Sequence, residues 1–578
     1  KSKPFVIPEY QRPYAWTDEQ VETLFEDLWD FTATSGGTER ESSYFLGSVV
    51  SYENEDGEQE IIDGQQRITS LFLLLRAIYT KLVATPASER TAEANNFIGK
   101  IEPTIWRTNK LTGTVDFKNI LLTSRVVNNE GNEILRSILE TGKADEDAKD
   151  NYSKNYRHFQ ELFDKHSTEN PLMVYQFIYA LLNQAILLPI TADTQDTALT
   201  IFSTLNDRGL PLSDADIFKA KIYNQLAPDD KKAFIDRWKD LDEQSTDANE
   251  SIQQLFYYNM FYYRALDKDT KTTTPGVRKY YAANKFERLY KPELLDTLFV
   301  ILNLWKVVNK GEELEDEAWS KNIKIRQTLD ILTSYPNEYW KYPVVIYYVC
   351  YRNEENFETR FARFLNKLLM ELMTKYLMIP TINAVKPDIL KLNSAIVASD
   401  IPAFEFKTVD MTQLEPYIQN PNRNAVRMLL KTLAYEHQDD LLPAKWEIEH
   451  IFPQKWQTNY FPDEPDATIK EKIEHIGNKL PFEKKLNIVA GNGYFGKKKK
   501  EYTASKIVIT KAMGTSDVMD WNLESITKRD IRVSDEVVKI MNRWNNEYLN
   551  TPVSEGKAGE PSEEELAQIE KFKKNGWI

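Results

Sequence analysis

The sequence is poor in two residue types that often carry chemistry, with one cysteine, Cys350, and five histidines among 578 residues. A single cysteine excludes an internal disulfide framework and a cysteine-rich zinc site, and it favours a reducing compartment such as the cytoplasm. No apolar run approaches the roughly 18 uninterrupted residues of a membrane span. The best candidate, residues 171–190, is broken by Gln176, Asn183 and Gln184 and predicts buried helix and strand. We therefore expect no membrane partner.

An initiating methionine is also missing, since the sequence begins at Lys1. We expect the native N-terminus to lie upstream of this numbering. Positive charge is scarce overall, with a net charge of −15 and a pI near 5.2. This balance excludes a protein that coats nucleic acid nonspecifically. One segment differs, because residues 479–511 hold nine lysines against Glu483 and Glu501. A lysine run is commonly only a solvated face, but this one can also be a local basic site.

The length predicts several domains, because one hydrophobic core does not extend over a chain of this size. Residues 1–235 mix strand-like runs (YFLGSVVSY, QEIIDG, ILLPITA) with helix-like stretches (QRITSLFLLLRAIYTKLV, DADIFKAKIYNQL), which predicts an α/β unit embedded in helices. Residues 236–435 carry many aromatics at helical spacing, which predicts a helical connecting domain whose aromatics pack its core. The predicted fold class is α+β, predominantly helical.

The C-terminal part contains the most informative stretch, EIEHIFPQ, residues 447–454. Its pattern predicts a short strand stopped by Pro453, and the simplest interpretation is an edge strand with a half-exposed His450. We assign residues 436–546 to this third block, which ends in an amphipathic helix predicted to begin at Ser534. Residues 547–578 are a polar tail.

A wider pattern surrounds this stretch. Glu449-His450 is followed by Pro453-Gln454, then by Gly-Asn at Asn478, then by Asn487 nine residues later, and finally by Phe495 and the lysine run. Over residues 440–510 the pattern resembles the HNH (ββα-metal) nuclease family, in the form found at the C-terminus of GmrSD-type restriction enzymes. The resemblance implies phosphodiester hydrolysis with Mg²⁺ or Mn²⁺.

Phosphodiester hydrolysis needs a base for water and positive charge at the phosphate. His450 suits the base, because an ordinary histidine titrates near neutral pH. By resemblance, Glu449 and Asn487 are the expected metal ligands, both hard oxygen donors. The family has Asp where this sequence has Glu449, which moves the carboxylate by one methylene. Neighbouring strand residues also point to opposite faces, so Glu449 and His450 share a site only if the strand bends at its end.

The remaining motif positions have supporting functions in this interpretation. Asn478 is expected to orient the His450 backbone and its loop, while Lys497 and Lys498 are candidates for DNA phosphate contacts. Structural alternatives stay open, since Gly-Asn can be only a turn and Asn487 only a helix cap. His475 matches no motif position and is expected on the surface.

Three N-terminal stretches form a second group, IPEYQRPYAW (7–16), IIDGQQRITSLFLL (61–74) and FSTLNDRGLPLSDADIFKAK (202–221). They resemble the N-terminal domain of GmrSD-type enzymes, with a ParB/sulfiredoxin-like α/β core and a D-G-Q-Q-R motif. The resemblance implies binding and hydrolysis of a nucleoside triphosphate, GTP or ATP, and sensing of modified DNA. No P-loop motif occurs, so the nucleotide pocket is not of the Walker type.

The residues expected to bind the nucleotide fit this chemistry. The Asp63-Gly64 pair predicts a strand-to-helix turn, at which helix N–H groups and Arg67 can hold phosphate. The candidate cofactor-binding residues are Arg12, Asp63, Gly64, Gln65, Gln66, Arg67, Asn206, Asp207 and Arg208, with Asp63 or Asp207 near an accompanying Mg²⁺. Structural alternatives again exist, since residues 206–209 also suit a helix-ending turn, and Ser213 with Asp216 suits a capping box.

Taken together, the two resemblances predict a cytoplasmic, nucleotide-regulated, metal-dependent HNH endonuclease that nicks or cuts double-stranded, modified foreign DNA in prokaryotic anti-phage defence. Two alternatives stay open. One is a nucleotide-dependent DNA-binding switch with an inactive HNH fold, which Glu449 in place of Asp would favour. The other is an RNA-targeting abortive-infection nuclease. The sequence leaves open whether the protein is a homo-oligomer.

Overall fold

The computed structural model describes residues 3–35, 43–109, 111–126, 129–195, 197–199, 201, 213–381, 383–406, 413–457 and 465–551. The chain divides into two compact units. The first comprises Lys1–Asp240 with Phe286–Tyr290, and the second comprises Leu241–Lys285 with Lys291–Ile578. The predicted connecting and nuclease ranges fall in the second unit except for residues 236–240 and 286–290, and the boundaries of both ranges stay predictions.

The first unit combines a mixed sheet with surrounding helices. Its strands are β1 (Phe5–Ile7), β2 (Tyr44–Glu53), β3 (Gln59–Asp63), β4 (Trp106–Thr108), β5 (Val115–Ile120), β6 (Leu122–Ser124) and β7 (Ala185–Ala192). Its helices are α1 (Asp18–Ser35), α2 (Gln65–Ala84), α3 (Ala92–Ile105), α4 (Asn129–Thr141), α5 (Asn151–Glu169), α6 (Val174–Asn183), α7 (Asp214–Gln225) and α8 (Pro228–Asp247), within which the unit ends. The predicted strands and helices of this region are confirmed.

Five strands form the main sheet in the order β6-β1-β3-β2-β7. Strand β1 is parallel to β3 and β6, β2 is parallel to β7, and only the β2–β3 pair is antiparallel. Both faces are covered, because Val49 and Ile61 join one buried cluster while Val50 and Ile62 join another. Burial on both faces explains the consecutive apolar pairs Val49-Val50 in β2 and Ile61-Ile62 in β3.

Helices dominate the second unit, which also has one two-stranded sheet. The helices are α9 (Ile252–Leu266), α10 (Val277–Ala282), α11 (Leu294–Lys310), α12 (Ile323–Leu332), α13 (Lys341–Tyr351), α14 (Phe357–Met378), α15 (Lys386–Ala398), α16 (Glu415–Gln419), α17 (Val426–His437), α18 (Asp466–Ile473), α19 (Lys484–Ala490), α20 (Phe495–Thr503), α21 (Val508–Thr515) and α22 (Leu523–Leu549). The strands are β8 (Trp446–His450) and β9 (Lys479–Glu483). Short 3₁₀ helices span Pro171–Met173, Ala283–Tyr290, Ala318–Lys321, Arg423–Ala425 and Ile476–Asn478.

The predicted fold class is confirmed, since the molecule is predominantly helical with a mixed α/β region at its N-terminus. The middle aromatics pack the core as predicted. Tyr258 stacks on Trp305 with ring centroids 4.9 Å apart, and Tyr347 stacks on Phe364 at 4.1 Å. Among the residues described above, no helix has the length and apolar character needed to cross a bilayer.

Strands β8 and β9 are antiparallel, with Glu449 opposite Leu480 and His450 opposite Lys479. Helix α19 follows β9 directly. Leu480 and Phe482 of β9 share a buried cluster with Ala490 of α19 and Phe495 of α20. The helices therefore cover the hairpin face that carries Glu449 and Leu480, because directly opposed residues point to the same side of a sheet.

Helix α22 fixes the turn before β9. Buried Asp530 accepts a hydrogen bond from Gly477 N at 2.8 Å, and Arg529 Nη1 donates to the carbonyls of Ile476, Gly477 and Lys479 at 2.9–3.0 Å. Burial lowers the pKa of Arg529 to about 10, helped by nearby Arg532. The predicted helix start at Ser534 is wrong, since α22 begins at Leu523 after the Asn522 cap and Ser534 lies buried inside it.

This packing predicts that Gly477→Ala destabilises the second unit. A Cβ at Gly477 would lie 2.3 Å from Ile526 O and 2.6 Å from Asp530 Oδ1. We expect unfolding to become easier by about 1–3 kcal/mol or more, as for other overpacked sites. The thermal midpoint in differential scanning calorimetry measures the change.

Gly496→Ala is the matched control, because Gly496 lies in helix α20 and no atom lies within 4 Å of the position that an added methyl group would occupy. Alanine there should raise the stability by about 0.5–1 kcal/mol through its better helix propensity. Equal midpoints for the two variants would show that the turn has room for a side chain.

Candidate functional site

His450 is the last residue of β8, and its side chain faces a cleft with a volume of about 1010 Å³. We call this space the cleft throughout. The hairpin and its flanking segments contribute Ile448, His450, Gln454, Glu474 and Lys479, and the helical part contributes Ser334, Pro421, Arg423, Asn424, Val426 and Arg427. The predicted catalytic histidine therefore borders a space that a substrate can enter.

The His450 imidazole contacts a pair of oppositely charged side chains, Glu474 and Lys479, through the first of them. Its Nε2 lies 3.4 Å from Glu474 Oε1, and Glu474 Oε2 accepts a hydrogen bond from Lys479 Nζ at 2.9 Å. Burial lowers the pKa of His450, although Glu474 partly opposes this effect. For Glu474, burial alone would raise the pKa, but the Lys479 and His450 contacts lower it overall. The arrangement favours a neutral imidazole beside an ionised carboxylate, which suits a proton acceptor.

Glu449 points to the other face of the hairpin. Its side chain is only 6% exposed, and its Oε1 lies 2.7 Å from Lys498 Nζ and accepts a hydrogen bond from Tyr502 OH at 2.7 Å. Burial lowers the pKa of Lys498, with Glu449 opposing that change. Burial and the adjacent carboxylate raise the pKa of Tyr502 far above its ordinary value. The strand alternation is thus retained, and Glu449 and His450 do not converge.

Asn478 fixes the loop that follows His450. Its Oδ1 accepts a hydrogen bond from Phe452 N at 2.7 Å, while its Nδ2 donates to the carbonyls of Phe452 and Ile473 at 3.1 and 3.0 Å. Its own carbonyl accepts from Ile451 N at 2.8 Å. The side chain is completely buried. These contacts match the expected positioning of the loop and leave no atom of Asn478 facing the cleft.

Asn487 lies in helix α19, half-buried, on the covered side of the hairpin. Its side chain makes no hydrogen bond to Glu449 or His450 in the part of the chain that the structure describes. The side-chain oxygen atoms of Glu449 and Asn487 are the kind that Mg²⁺ or Mn²⁺ prefers. However, Lys498 already supplies a positive charge at Glu449 Oε1. No group of three or more histidine, cysteine or acidic side chains arranged for a metal occurs among the described residues. The arrangement does not fit a metal held jointly by Glu449 and Asn487 beside His450.

The predicted phosphate contacts separate into two cases. Lys498 is corrected, because its ammonium is buried against Glu449 and donates to His450 O at 2.5 Å, which leaves it out of reach of DNA. Lys497 is exposed and stays a candidate.

The surface position expected for His475 is also corrected. The imidazole is half-buried, and its Nδ1 lies 2.8 Å from Asp530 Oδ2.

In the first unit, the D-G-Q-Q-R motif forms the predicted strand-to-helix turn. Strand β3 ends at Asp63, and Gly64 precedes α2 with a φ of 90° in the left-handed region. A Cβ at Gly64 would lie 3.0 Å from Val49 Cγ2 and 3.1 Å from Ser48 O. Gly64 provides no side-chain cap for the first N–H groups of α2.

Both glutamines of the motif hydrogen-bond to the backbone of the preceding segment, and their expected nucleotide role stays a prediction. Gln65 Nε2 donates to Arg12 O at 3.3 Å, and Gln66 Nε2 donates to Pro13 O at 3.0 Å. Gln66 Oε1 also accepts from Ala15 N at 2.7 Å. These amides hold residues 12–15 against the start of α2. The Oε1 atom of Gln65 is buried and has no hydrogen-bond partner in the part of the chain described here.

Three predicted cofactor residues lie near one another at this turn. Burial raises the pKa of Asp63, and the Gly64 N–H, Arg67 and Arg12 partly counter that effect. Arg67 Nη1 donates to Ser48 O at 3.0 Å and lies against Gly47, whereas Arg12 is exposed. Asn206, Asp207 and Arg208 lie outside the described residues. The predicted capping box of Ser213 and Asp216 is present at the start of α7.

Sequence reasoning missed the other charged residues of the cleft. Glu474 and Lys479 flank His450, while Arg423 and Arg427 line the same cleft from the helical part. Their only sequence signal is a pair of arginines four residues apart where the 3₁₀ helix Arg423–Ala425 leads into α17. That spacing places both on one side of a helix. Nothing in the spacing connects them to a motif more than twenty residues downstream.

Two models of known protein families match the chain. One is described as "GmrSD restriction endonuclease, N-terminal domain" and matches residues 1–223. The other is described as "GmrSD restriction endonucleases, C-terminal domain" and matches residues 410–533. Together they cover more than half of the chain and include both motif groups. No match to a curated protein was found.

The buried pairing of Glu449 and Lys498 predicts a large loss of stability in Lys498→Met. The substitution leaves a carboxylate buried without its cation, which typically costs about 3–5 kcal/mol. The matched control is Lys497→Met, at an exposed position next along the helix, where we expect a change within about 0.5 kcal/mol. Urea unfolding followed by tryptophan fluorescence gives both values.

A second variant pair tests the interaction itself. Glu449→Gln combined with Lys498→Met should cost clearly less than the two single substitutions added together, because neither charge is then left alone. Strict additivity in this double-mutant cycle would contradict a direct ion pair.

Proposed function

Since the chain belongs to the GmrSD restriction endonuclease family, we propose that it is a nucleotide-regulated, metal-dependent HNH endonuclease that nicks or cuts modified foreign DNA in prokaryotic anti-phage defence. Membership of a restriction endonuclease family makes it a nuclease with a DNA substrate. The HNH assignment, the modification, the metal and the nucleotide are the finer parts of the proposal.

The observation that carries the proposal is the position of His450 on the wall of the cleft. Its Nε2 is within 3.4 Å of Glu474, and burial lowers its pKa. A neutral imidazole at the edge of an open space can accept a proton from water. The Lys479 contact holds Glu474 in place, which keeps the imidazole oriented.

In the proposed reaction, His450 takes a proton from a water molecule in the cleft. The hydroxide attacks the phosphorus atom of a phosphodiester, and the P–O bond to the leaving oxygen breaks. The leaving alkoxide takes a proton from solvent. Arg423, which lines the same cleft, supplies positive charge that can contact the DNA backbone. Asn478 maintains the loop beside His450 throughout.

The metal requirement rests on the family resemblance, because the arrangement of Glu449 and Asn487 does not itself fit a shared metal. An ion bound at Glu449 would have to replace the ammonium of Lys498, which lies 2.7 Å from Oε1. No step is therefore routed through a metal. Cleavage assayed with Mg²⁺, with Mn²⁺ and with a chelator tests this part of the proposal separately.

The nucleotide-binding part is supported by the turn at Gly64. The uncapped start of α2 offers N–H groups to phosphate, and Arg12 is exposed beside Asp63. The buried Oε1 of Gln65 is an acceptor without a partner among the described residues, and a base or ribose donor could occupy it. Hydrolysis of GTP or ATP and gating of cleavage belong to the proposal through the family resemblance.

One observation favours a second function. Because Lys498 neutralises Glu449, the hairpin can be a stable fold element without metal chemistry. The protein would then be a nucleotide-dependent DNA-binding switch with an inactive HNH fold. Intact DNA and nucleotide binding without cleavage under any condition would support this alternative.

The main test of the proposed function is His450→Ala. We expect cleavage to fall by about 10²–10⁴-fold, the usual contribution of a general base. The assay compares modified phage DNA with unmodified plasmid, in Mg²⁺ or Mn²⁺, with and without GTP or ATP. An RNA substrate run beside them separates a DNA nuclease from an RNA nuclease.

His437→Ala is the matched control, because His437 lies in the same unit, is exposed and pairs with Glu536 away from the cleft. It should cut DNA at the rate of the wild type. Equal activity of the His450 and His437 variants would contradict the catalytic role of His450.

A further prediction concerns the nucleotide. Removal of one charged phosphate contact costs about 1.5–3 kcal/mol, so Arg12→Gln should weaken nucleotide binding by about tenfold or more. Equilibrium binding of fluorescent GTP and ATP analogues measures the affinity. The control is Arg107→Gln, at another exposed arginine of the first unit. The same affinity in both variants would remove Arg12 from the binding site.

A further inference from the structure

We infer that the DNA backbone binds in the cleft between His450 and the helical residues 421–427, and that Arg423 is a phosphate-contacting residue there. This inference rests on the proposed nuclease function and names the surface that receives the substrate. It assigns a DNA contact to a segment that precedes the nuclease motif by more than twenty residues. No sequence motif assigns chemistry to that part of the chain.

Arg423 and His450 line the same cleft, within one compact unit. Arg423 begins the short 3₁₀ helix Arg423–Ala425 and is exposed, as is its neighbour Asn424. Both residues line the cleft. The Asn424 amide donates to Tyr376 OH at 3.3 Å, so the exposed Arg423 guanidinium is the group there that can recognise a phosphodiester.

The charges of the cleft leave Arg423 as its available cation. Glu474 is matched by Lys479 at 2.9 Å, and Glu447 lies 3.9 Å from both Arg427 and Lys484. In the part of the chain described here, no carboxylate lies within ion-pair distance of Arg423. The cleft therefore carries unmatched positive charge in a protein with a net charge of −15. Electrostatic attraction therefore favours the binding of a polyanion such as DNA at this cleft.

Arg427 has a different role, because it ties the helical wall to the hairpin. Its Nη2 donates to Trp446 O at 3.0 Å, and its guanidinium lies 4.2 Å from the centroid of the Trp446 ring. Trp446 begins the strand that ends at His450. Arg427 is thus a positioning residue that fixes the width of the cleft, while Arg423, one turn earlier, is left to contact the substrate.

The test uses the full chain in a His450→Ala background, so that DNA binds without being cut. Binding of a fluorescein-labelled DNA duplex is followed by anisotropy over a salt series, with the parent, Arg423→Gln and Lys528→Gln. Lys528 is the control because it lies in the same unit, is 68% exposed and loses the same charge. A single-stranded RNA probe is run in parallel.

We expect Arg423→Gln to bind DNA more weakly at low salt, with a log–log salt slope shallower by about 0.9 for the lost contact. Between about 50 and 200 mM salt, its affinity should then fall about 3.5-fold less than that of the parent. In the otherwise wild-type chain, the same substitution should raise KM and leave kcat nearly unchanged. Lys528→Gln should match its parent in every assay.

An unchanged affinity and slope in Arg423→Gln, with a parent that binds DNA, would overturn the cleft assignment and leave the nuclease proposal intact. A dependence on Arg423 for RNA alone would overturn the DNA partner. If the parent binds no DNA and the wild type cuts none, both the proposed function and this inference fail.

Discussion

The buried pairing of Glu449 with Lys498 is the interaction on which the C-terminal site depends. Taking both charges out of water is costly, so the pair persists only because Tyr502 and the His450 carbonyl satisfy the remaining polar groups. With Glu449 fixed inward, the alternation of a strand turns His450 outward. The ion pair on the covered face of the hairpin therefore leaves His450, the proposed base, on the face that borders the cleft.

This geometry also shows what local sequence can and cannot predict. The structure confirms the strand of His450, the turn at Gly64 and helix α2. These elements can be predicted from the spacing of apolar residues and from a proline or glycine a few residues away. The partners of His450 and His475 could not be predicted, because Glu474 and Asp530 reach them through tertiary contacts. The predicted contact of Lys498 with DNA is wrong for the same reason. The sequence of a lysine run does not reveal which of its lysines faces the core.

The D-G-Q-Q-R motif illustrates how one short stretch can serve the fold and a site together. Its two glutamines make most of their hydrogen bonds to the backbone of residues 12–15, which brings Arg12 next to Asp63. The glycine allows the close approach of Ser48 and leaves the helix start uncapped. Part of a motif that is predicted to bind the nucleotide therefore holds the surrounding backbone in place.

The acidic character of the chain makes the unmatched positive charge in the cleft important for DNA binding. A net charge of −15 repels DNA from most of the surface, so binding must come from a few places where positive charge is unmatched. The hairpin alone does not provide this, because Lys479 and Lys498 are neutralised by Glu474 and Glu449. The missing charge comes from the helical wall. In the proposed arrangement, a DNA strand that reaches His450 contacts the helical part of the unit as well, and that part would then belong to the site.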